Sequence, residues 1–205
     1  MIAAFLMGSV PFGFLVGKLR GVDVRKEGSG NIGATNVGRV CGKKWGYLVL
    51  FLDFSKAWLA VWGLVHLGAH WGWSQDSEML RVLLGVSTVM GHNFCPWLGF
   101  KGGKGVASTA GILVGIEPIV FLCALTAFVV FYVATNFVSV GSIAAAVSMA
   151  VSAWIRSPND WLAWSMTVLA VMAIVKHRGN IARLMAGKES KTLPPWVARV
   201  REERK

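Results

Sequence analysis

Charge is scarce in this chain. Only 15% of its 205 residues are Asp, Glu, Lys or Arg, against about 25% in an ordinary soluble domain. Hydrophobic residues make up 55%, and mean hydropathy is +0.57. These values exclude a disordered chain and point to an integral membrane protein. Cysteine is scarce as well. Cys41, Cys95 and Cys123 are odd in number and form no Cys-x-x-Cys, which argues against a disulfide framework or a zinc site. There is no long internal repeat, no low-complexity linker and no pattern of RNA or DNA binding. The first apolar stretch lacks a basic n-region and a small-residue cleavage site, so it reads as a retained helix and not a secretory signal.

Acidic residues are outnumbered, 10 against 21 basic ones, for a formal charge of +11. The excess is localised. Residues 18–44 hold seven basic and two acidic groups, and residues 176–205 hold nine and three; the rest of the chain is neutral. Two basic segments flanking an apolar body set orientation in a bilayer or meet anionic headgroups and substrates.

A membrane helix needs roughly 20 mostly apolar residues. Residues 1–19, 46–68, 80–98, 118–134, 138–155 and 160–176 qualify, some of them short. Residues 105–116 are apolar but marginal, and Glu117-Pro118 separates them from the next run. Both basic segments face the cytoplasm only if 105–116 also crosses. The expectation is an all-α integral membrane protein with seven transmembrane helices, N-terminus outside and C-terminus cytoplasmic. It forms one domain over 1–205, with 193–205 as a basic tail. Gly13-xxx-Gly17 and Gly111-xxx-Gly115 suit close helix packing. Trp71, Trp73, Trp154, Trp161 and Trp164 fall near span ends, as in an interfacial belt.

On that topology three polar, Gly-rich segments face the same side. Residues 28–39 carry Gly28, Ser29, Gly30, Asn31, Gly33, Thr35, Asn36 and Arg39. Small residues let backbone N–H groups converge on an anion, and Arg39 adds a bidentate clamp. Gly28 to Gly33 formally matches a dinucleotide fingerprint, but the flanking strand and βαβ unit are missing. A simple turn between spans is the alternative. In the second segment, Gly91-His92 precedes Phe100-Lys101-Gly102-Gly103-Lys104-Gly105. It is one residue short of a Walker loop, and Gly105 replaces the magnesium-binding hydroxyl. It still offers two ammonium groups and exposed N–H groups at a helix start. Plain positive-inside topology explains the lysines equally well. The third segment is His177-Arg178-Gly179-Asn180-Ile181-Ala182-Arg183. His177 and Asn180 share a helical face at i, i+3. His177 suits a base or a phosphate donor, while Arg178 and Arg183 also fit helix capping or headgroup contact.

Asp53 and Lys56 lie inside an apolar span, about 12 Å along it. Either they pair to orient the helix or they meet substrate. Ser139 and Ser142 are candidates to line a cavity.

The motifs Gly8-Ser9-Val10-Pro11-Phe12-Gly13, Ser29 to Asn36 with Arg39, Gly91-His92 with Phe100 to Ala107, and His177 to Leu184 occur in this order over nearly the whole chain. Together they resemble the membrane acyl-phosphate:glycerol-3-phosphate acyltransferases, the PlsY family. The resemblance implies a seven-helix enzyme of the bacterial inner membrane, with its site on the cytoplasmic side. The implied reaction moves a fatty acyl group from acyl phosphate to the sn-1 hydroxyl of glycerol 3-phosphate, giving lysophosphatidic acid and phosphate. No metal, nucleotide or other cofactor is implied. Membrane lipids and a soluble acyl-phosphate-forming enzyme are the implied partners, with no nucleic acid. By motif, Ser29, Lys104, His177 and Asn180 carry catalysis. Asn31, Gly33, Thr35, Asn36, Arg39, His92, Lys101, Gly102, Gly103 and Ser142 bind substrate or phosphate.

The His-x-x-x-x-Asp of other glycerol-phosphate acyltransferases is missing at His66, His70, His92 and His177. A transporter or channel for an organic phosphate is the rival reading. Asp53 and Lys56 would suit it, but no half-sequence symmetry is visible.

Overall fold

The computed structural model describes residues 1–69, 72 and 77–192. His70, Trp71, Trp73 and the 193–205 tail lie outside the described residues. Among the described residues the fold is helical throughout. The first apolar run is two helices, α1 (Ile2–Ser9) and α2 (Phe12–Leu19), and not one. Pro11 has no N–H to continue the ladder, so the chain breaks there. A polar loop leads to the short α3 (Ala34–Cys41) and then to α4 (Lys43–Ala69), the longest helix. Helix α5 (Glu78–Asn93) starts at Ser77, whose hydroxyl accepts from the Leu80 N–H at 3.2 Å.

The run expected to continue helical to residue 98 stops at Asn93. A 3-10 turn, Pro96–Leu98, follows it. Pro96 disfavours helical backbone at Cys95, which is extended. Helices α6 (Val106–Ile116) and α7 (Pro118–Thr135) are separate, with Pro118 opening α7. Helices α8 (Val138–Arg156), α9 (Trp161–Lys176) and α10 (Arg178–Met185) complete the order. Asp160 caps α9 by accepting from the Trp161 N–H at 2.6 Å.

A helix thus occupies each of the seven apolar segments. Among the described residues four stretches, Ile2–Leu19, Lys43–Gly68, Pro118–Thr135 and Val138–Arg156, are long and apolar enough to cross a bilayer, the first of them containing the Pro11 break. Val106–Ile116 and Trp161–Lys176 are shorter apolar helices. The core lies between α4, α5, α6, α8 and α9, around Ile112, Leu113, Leu162 and Met166. Large apolar side chains on α4 and α7, among them Phe51, Leu122, Val130 and Phe131, point outward instead, as lipid-facing residues do.

Small residues set the close approaches. A side chain at Gly111 would come within 2.2 Å of the Phe54 carbonyl on α4, as a helix-packing motif requires. Gly13 serves a loop instead: its face receives the Ile32 carbonyl. Trp154 and Trp164 meet edge to face at 5.0 Å, and the Trp154 indole donates to Thr167. They therefore lock α8 to α9 as well as standing near the span ends.

Helices α4 to α9 alternate in direction. The C-terminal ends of α2, α5, α7 and α9 therefore gather with the N-terminal ends of α4, α6 and α8. All three Gly-rich segments converge at this end.

Candidate active site

The first loop is built around Asn36, which is buried. Its Oδ1 accepts from the Ser29 N–H at 2.8 Å, and its Nδ2 donates to the carbonyls of Val24 and Glu27 at 2.9 and 3.1 Å. Its amide is committed to holding the loop. Gly28 runs at φ +60°, with the Asn36 oxygen where a side chain would stand. Asn31 accepts from the Gly33 N–H at 2.8 Å, and Gly33 precedes α3. Ala34 and Thr35 therefore open a helix, where N–H groups have no intrahelical partner. Arg39 projects from the same helix and is exposed.

The second loop is laid on the end of α5. The N–H of Gly103 donates to the His92 carbonyl at 3.0 Å, and that of Gly102 to the Asn93 carbonyl at 3.3 Å. A side chain at Gly102 would strike the His92 carbonyl at 2.0 Å, and one at Gly103 the His92 ring at 2.1 Å. Only glycine fits either place. Lys101 is exposed, whereas Lys104 turns inward and donates to Asn180 Oδ1.

Asn180 is the hub. Its Nδ2 donates to Glu189 Oε1 at 2.6 Å. The same oxygen accepts from the Ser139 hydroxyl at 3.0 Å, and Arg183 Nε donates to Glu189 Oε2 at 2.7 Å. Segment 188–192 is pinned across α7 and α8: Thr192 N–H donates to the Asn136 carbonyl, and the Tyr132 hydroxyl donates to the Thr192 carbonyl, both at 2.8 Å. Burial acts to raise the Glu189 carboxyl, but the bonds from Asn180, Arg183 and Ser139 outweigh it and hold it below the usual range. Burial pushes Lys104 down to about 8; Glu189 opposes this, and Arg183 and Arg39 add to it. The first segment packs against the chain that leads into the second: Ile32 and Val37 share a buried cluster with Cys95 and Leu98.

His177 sits at the junction of α9 and α10 and is buried. Its Nδ1 donates to the Ala173 carbonyl at 2.8 Å, which leaves Nε2 as the lone-pair acceptor. Burial, reinforced by the Lys104 ammonium, pushes the imidazolium down to about 4. The ring is therefore neutral at pH 7.

The structure unites Lys104, His177, Asn180, Arg183, Ser139 and Glu189, with Arg39 beside them. Ser29 and Asn31 lie in the loop before α3 and Thr35 in its first turn, on the helix that carries Arg39. Ser142 donates to the Val138 carbonyl at 2.8 Å and lines an apolar cavity of about 480 Å³. The cavity begins beside the site, at Val106, Ala107 and Ala173. It reaches the surface between α4 and α7, past exposed Leu50, Phe51 and Leu125. Asp53 and Lys56 form a buried pair at 2.7 Å and do not reach this cavity's lining.

Lys104 fixes a pH dependence. Its ammonium loses its proton as pH rises through about 8, so kcat/KM for an anionic substrate should fall about tenfold per pH unit above that value. His177 stays neutral down to about 4, so it should contribute no acid limb between pH 5 and 7. Initial rates from pH 7 to 10 at a limiting concentration of the anionic substrate check the alkaline limb.

A family model described as glycerol-3-phosphate acyltransferase matches residues 1–187. A glycerol-3-phosphate acyltransferase of Trichlorobacter lovleyi is 41% identical over 191 residues, covering 92% of this chain and 93% of the relative. One from Aquifex aeolicus is 38% identical over 189 residues, covering 92% and 95%. Among solved structures, the glycerol 3-phosphate form of PlsY, an integral membrane glycerol 3-phosphate acyltransferase, superposes with TM-score 0.84 at 37% identity, covering 96% of each chain. Its lysophosphatidic acid form gives 0.79. Sequence and fold agree, and the chain belongs to the glycerol-3-phosphate acyltransferase family of PlsY type, a multi-pass membrane protein.

Proposed function

We propose that this chain moves a fatty acyl group from acyl phosphate to the sn-1 hydroxyl of glycerol 3-phosphate, releasing lysophosphatidic acid and phosphate. One observation carries the reading: a partly buried cation network around Lys104 stands at the inner end of an apolar cavity that opens between two lipid-facing helices. Such a site suits a substrate with an anionic head and a hydrocarbon tail entering from the bilayer. The bound forms of the PlsY structures, glycerol 3-phosphate and lysophosphatidic acid, have the chemistry of acceptor and product.

Lys104, Arg39 and the N–H groups at the start of α3 hold the two phosphates. His177 Nε2 accepts from the sn-2 hydroxyl, Lys104 and Asn180 steady the oxyanion, and the sn-1 hydroxyl, its own O–H turned to the substrate phosphate, attacks. The hydroxyl oxygen bonds to the carbonyl carbon, the carbon–oxygen bond to phosphate breaks, and the hydroxyl proton leaves. A His with pKa about 4 is a weaker base than a phosphate monoester near 6. The substrate phosphate therefore takes the proton, and His177 orients. The seven apolar segments all cross the bilayer, N-terminus outside and C-terminus inside. The site faces the cytoplasm at the bacterial inner membrane, where a soluble enzyme supplies the acyl phosphate.

The test is phosphate release by purified protein given palmitoyl phosphate, with and without glycerol 3-phosphate, and no added metal or nucleotide. Release that depends on glycerol 3-phosphate, with lysophosphatidic acid formed, supports the reading. No reaction in folded protein removes the donor assignment. Ala110 lines the cavity from α6. Filling it with Ala110→Phe should cut the rate with a 16-carbon donor about tenfold or more while sparing an 8-carbon one, since the contacts of a single methylene are worth about 1–3 kcal/mol and 1.36 kcal/mol is tenfold. Equal rates with both donors would place the chain elsewhere.

A further inference from the structure

The Asp53–Lys56 pair has a third member that lies under the phosphate loop. Lys56 Nζ has three N–H donors and three polar neighbours. They are the Val10 carbonyl, which accepts at 2.8 Å, Asp53 Oδ1, ion-paired at 2.7 Å, and His92 Nδ1 at 3.1 Å, which itself lies 3.6 Å from Asp53 Oδ1. The three come from different elements. Val10 is at the break between α1 and α2, and its carbonyl also accepts from the Phe12 N–H at 3.1 Å. Asp53 is on α4, and His92 is on the last turn of α5. All three charged or titratable side chains are buried, at 2%, 7% and 5% exposure for Asp53, Lys56 and His92. The Nδ1 edge of the ring faces the Asp53–Lys56 pair, and the Nε2 edge faces the loop. That edge of the ring abuts Gly103, where a side chain would stand 2.1 Å from Nε2. The loop is bonded to the His92 and Asn93 carbonyls as well.

We infer that His92 is a positioning residue for the phosphate loop, its ring locked by the buried Lys56–Asp53 pair so that Gly102, Gly103 and Lys104 are held in register for the substrate phosphate. The inference rests on the reading that this loop binds glycerol 3-phosphate. The buried pair is the anchor, the ring is the wall, and the glycine backbone is pressed against it. Turning the ring would push directly on Gly103, one residue before the ammonium that meets Asn180. This assigns to an intramembrane ion pair a function at a site that it does not touch. It also gives a reason why His92 and Gly103 are matched: ring and missing side chain occupy one space.

The test is calorimetric binding of glycerol 3-phosphate to full-length protein in detergent, which needs no acyl donor. His92→Ala should weaken binding about tenfold or more, since a misplacement of about 1 Å carries losses of that order. Asp53→Asn/Lys56→Met, which removes the anchor without leaving a buried charge unpaired, should do the same. Gly103→Ala alone should abolish binding, because its methyl enters the ring. The combination His92→Ala/Gly103→Ala should bind better than Gly103→Ala, because the methyl then takes the vacated space. That suppression is a readout that general destabilisation would not give. Wild-type affinity in His92→Ala or in the neutralised pair, or no suppression in the combination, overturns the inference. Lys104→Met is the reference. If it binds as wild type does, the phosphate-loop reading itself fails; if it weakens binding and the His92 and Lys56 variants do not, only the positioning role fails.

Discussion

Lys104→Met should lower kcat/KM for glycerol 3-phosphate by two to three orders of magnitude. The ammonium is partly buried and meets Asn180, in surroundings where charge acts more strongly than in water. Loss of one such donor typically costs about 10²–10³ in rate. Nearby cations do not replace it. Arg183 is bonded to Glu189, and Arg39 projects from α3 at the exposed side of the site. Methionine keeps the length of the side chain, so the loss reports charge and donor and not a cavity. The pH profile supplies a second readout. The alkaline limb expected near 8 comes from Lys104, so whatever activity survives in the variant should lack it. Lys104→Arg keeps the charge, but its planar fork must fit between Gly103 and Gly105 and should restore only part of the rate. Activity within threefold of wild type in Lys104→Met, measured with saturating donor, would remove Lys104 from the site.

Much of this arrangement is legible in the chain before folding. Hydropathy marks seven apolar segments, each of which holds a helix. Glu117-Pro118 separates α6 from α7 as its chemistry requires. Other features are hidden because they depend on which backbone atoms come together. Asn36 reads as a donor to a ligand, yet a carboxamide that meets two carbonyls and an N–H within its own loop is fully used. The end of α5 is hidden in an apolar run through residue 98, and Pro96 is its one signal. Glu189 escapes sequence reading altogether. It is a lone acid among Arg178, Arg183, Lys188 and Lys191, where net charge draws attention away from any single carboxylate. Nine residues separate it from Asn180, and the Gly187 turn lies between them. No helical period joins the two. The isolated acid beside a polar motif is the signal that would have found it. Ser139 was visible only as a small hydroxyl, and its partner lies 50 residues away.

Glu189→Gln should lower kcat/KM about 10- to 100-fold although the residue touches no reacting atom in the proposed mechanism. The carboxylate accepts on both oxygens, from Ser139 and Asn180 on one and Arg183 on the other. Glutamine has a single carbonyl oxygen. With that oxygen toward Asn180, its amide nitrogen faces the Arg183 donor. With the amide reversed, its nitrogen faces Asn180 Nδ2, and Asn180 must turn its own NH₂ toward the Lys104 ammonium. Either arrangement sets donor against donor and loses a hydrogen bond to a charged group, about 1.5–3 kcal/mol. Each 1.36 kcal/mol is tenfold in rate. The charge has a separate consequence. Glu189 holds the Lys104 pKa up against burial and the two arginines; without it, Lys104 should lose its proton at a lower pH. The alkaline limb of kcat/KM should therefore move to the acid side in Glu189→Gln and stay in place in Ser139→Ala, which removes a bond and no charge. A scaffolding role confined to the 188–192 segment would lower the melting temperature in both variants and leave the limb where it was. A shifted limb in the glutamine variant alone identifies Glu189 as the group that sets the charge on Lys104.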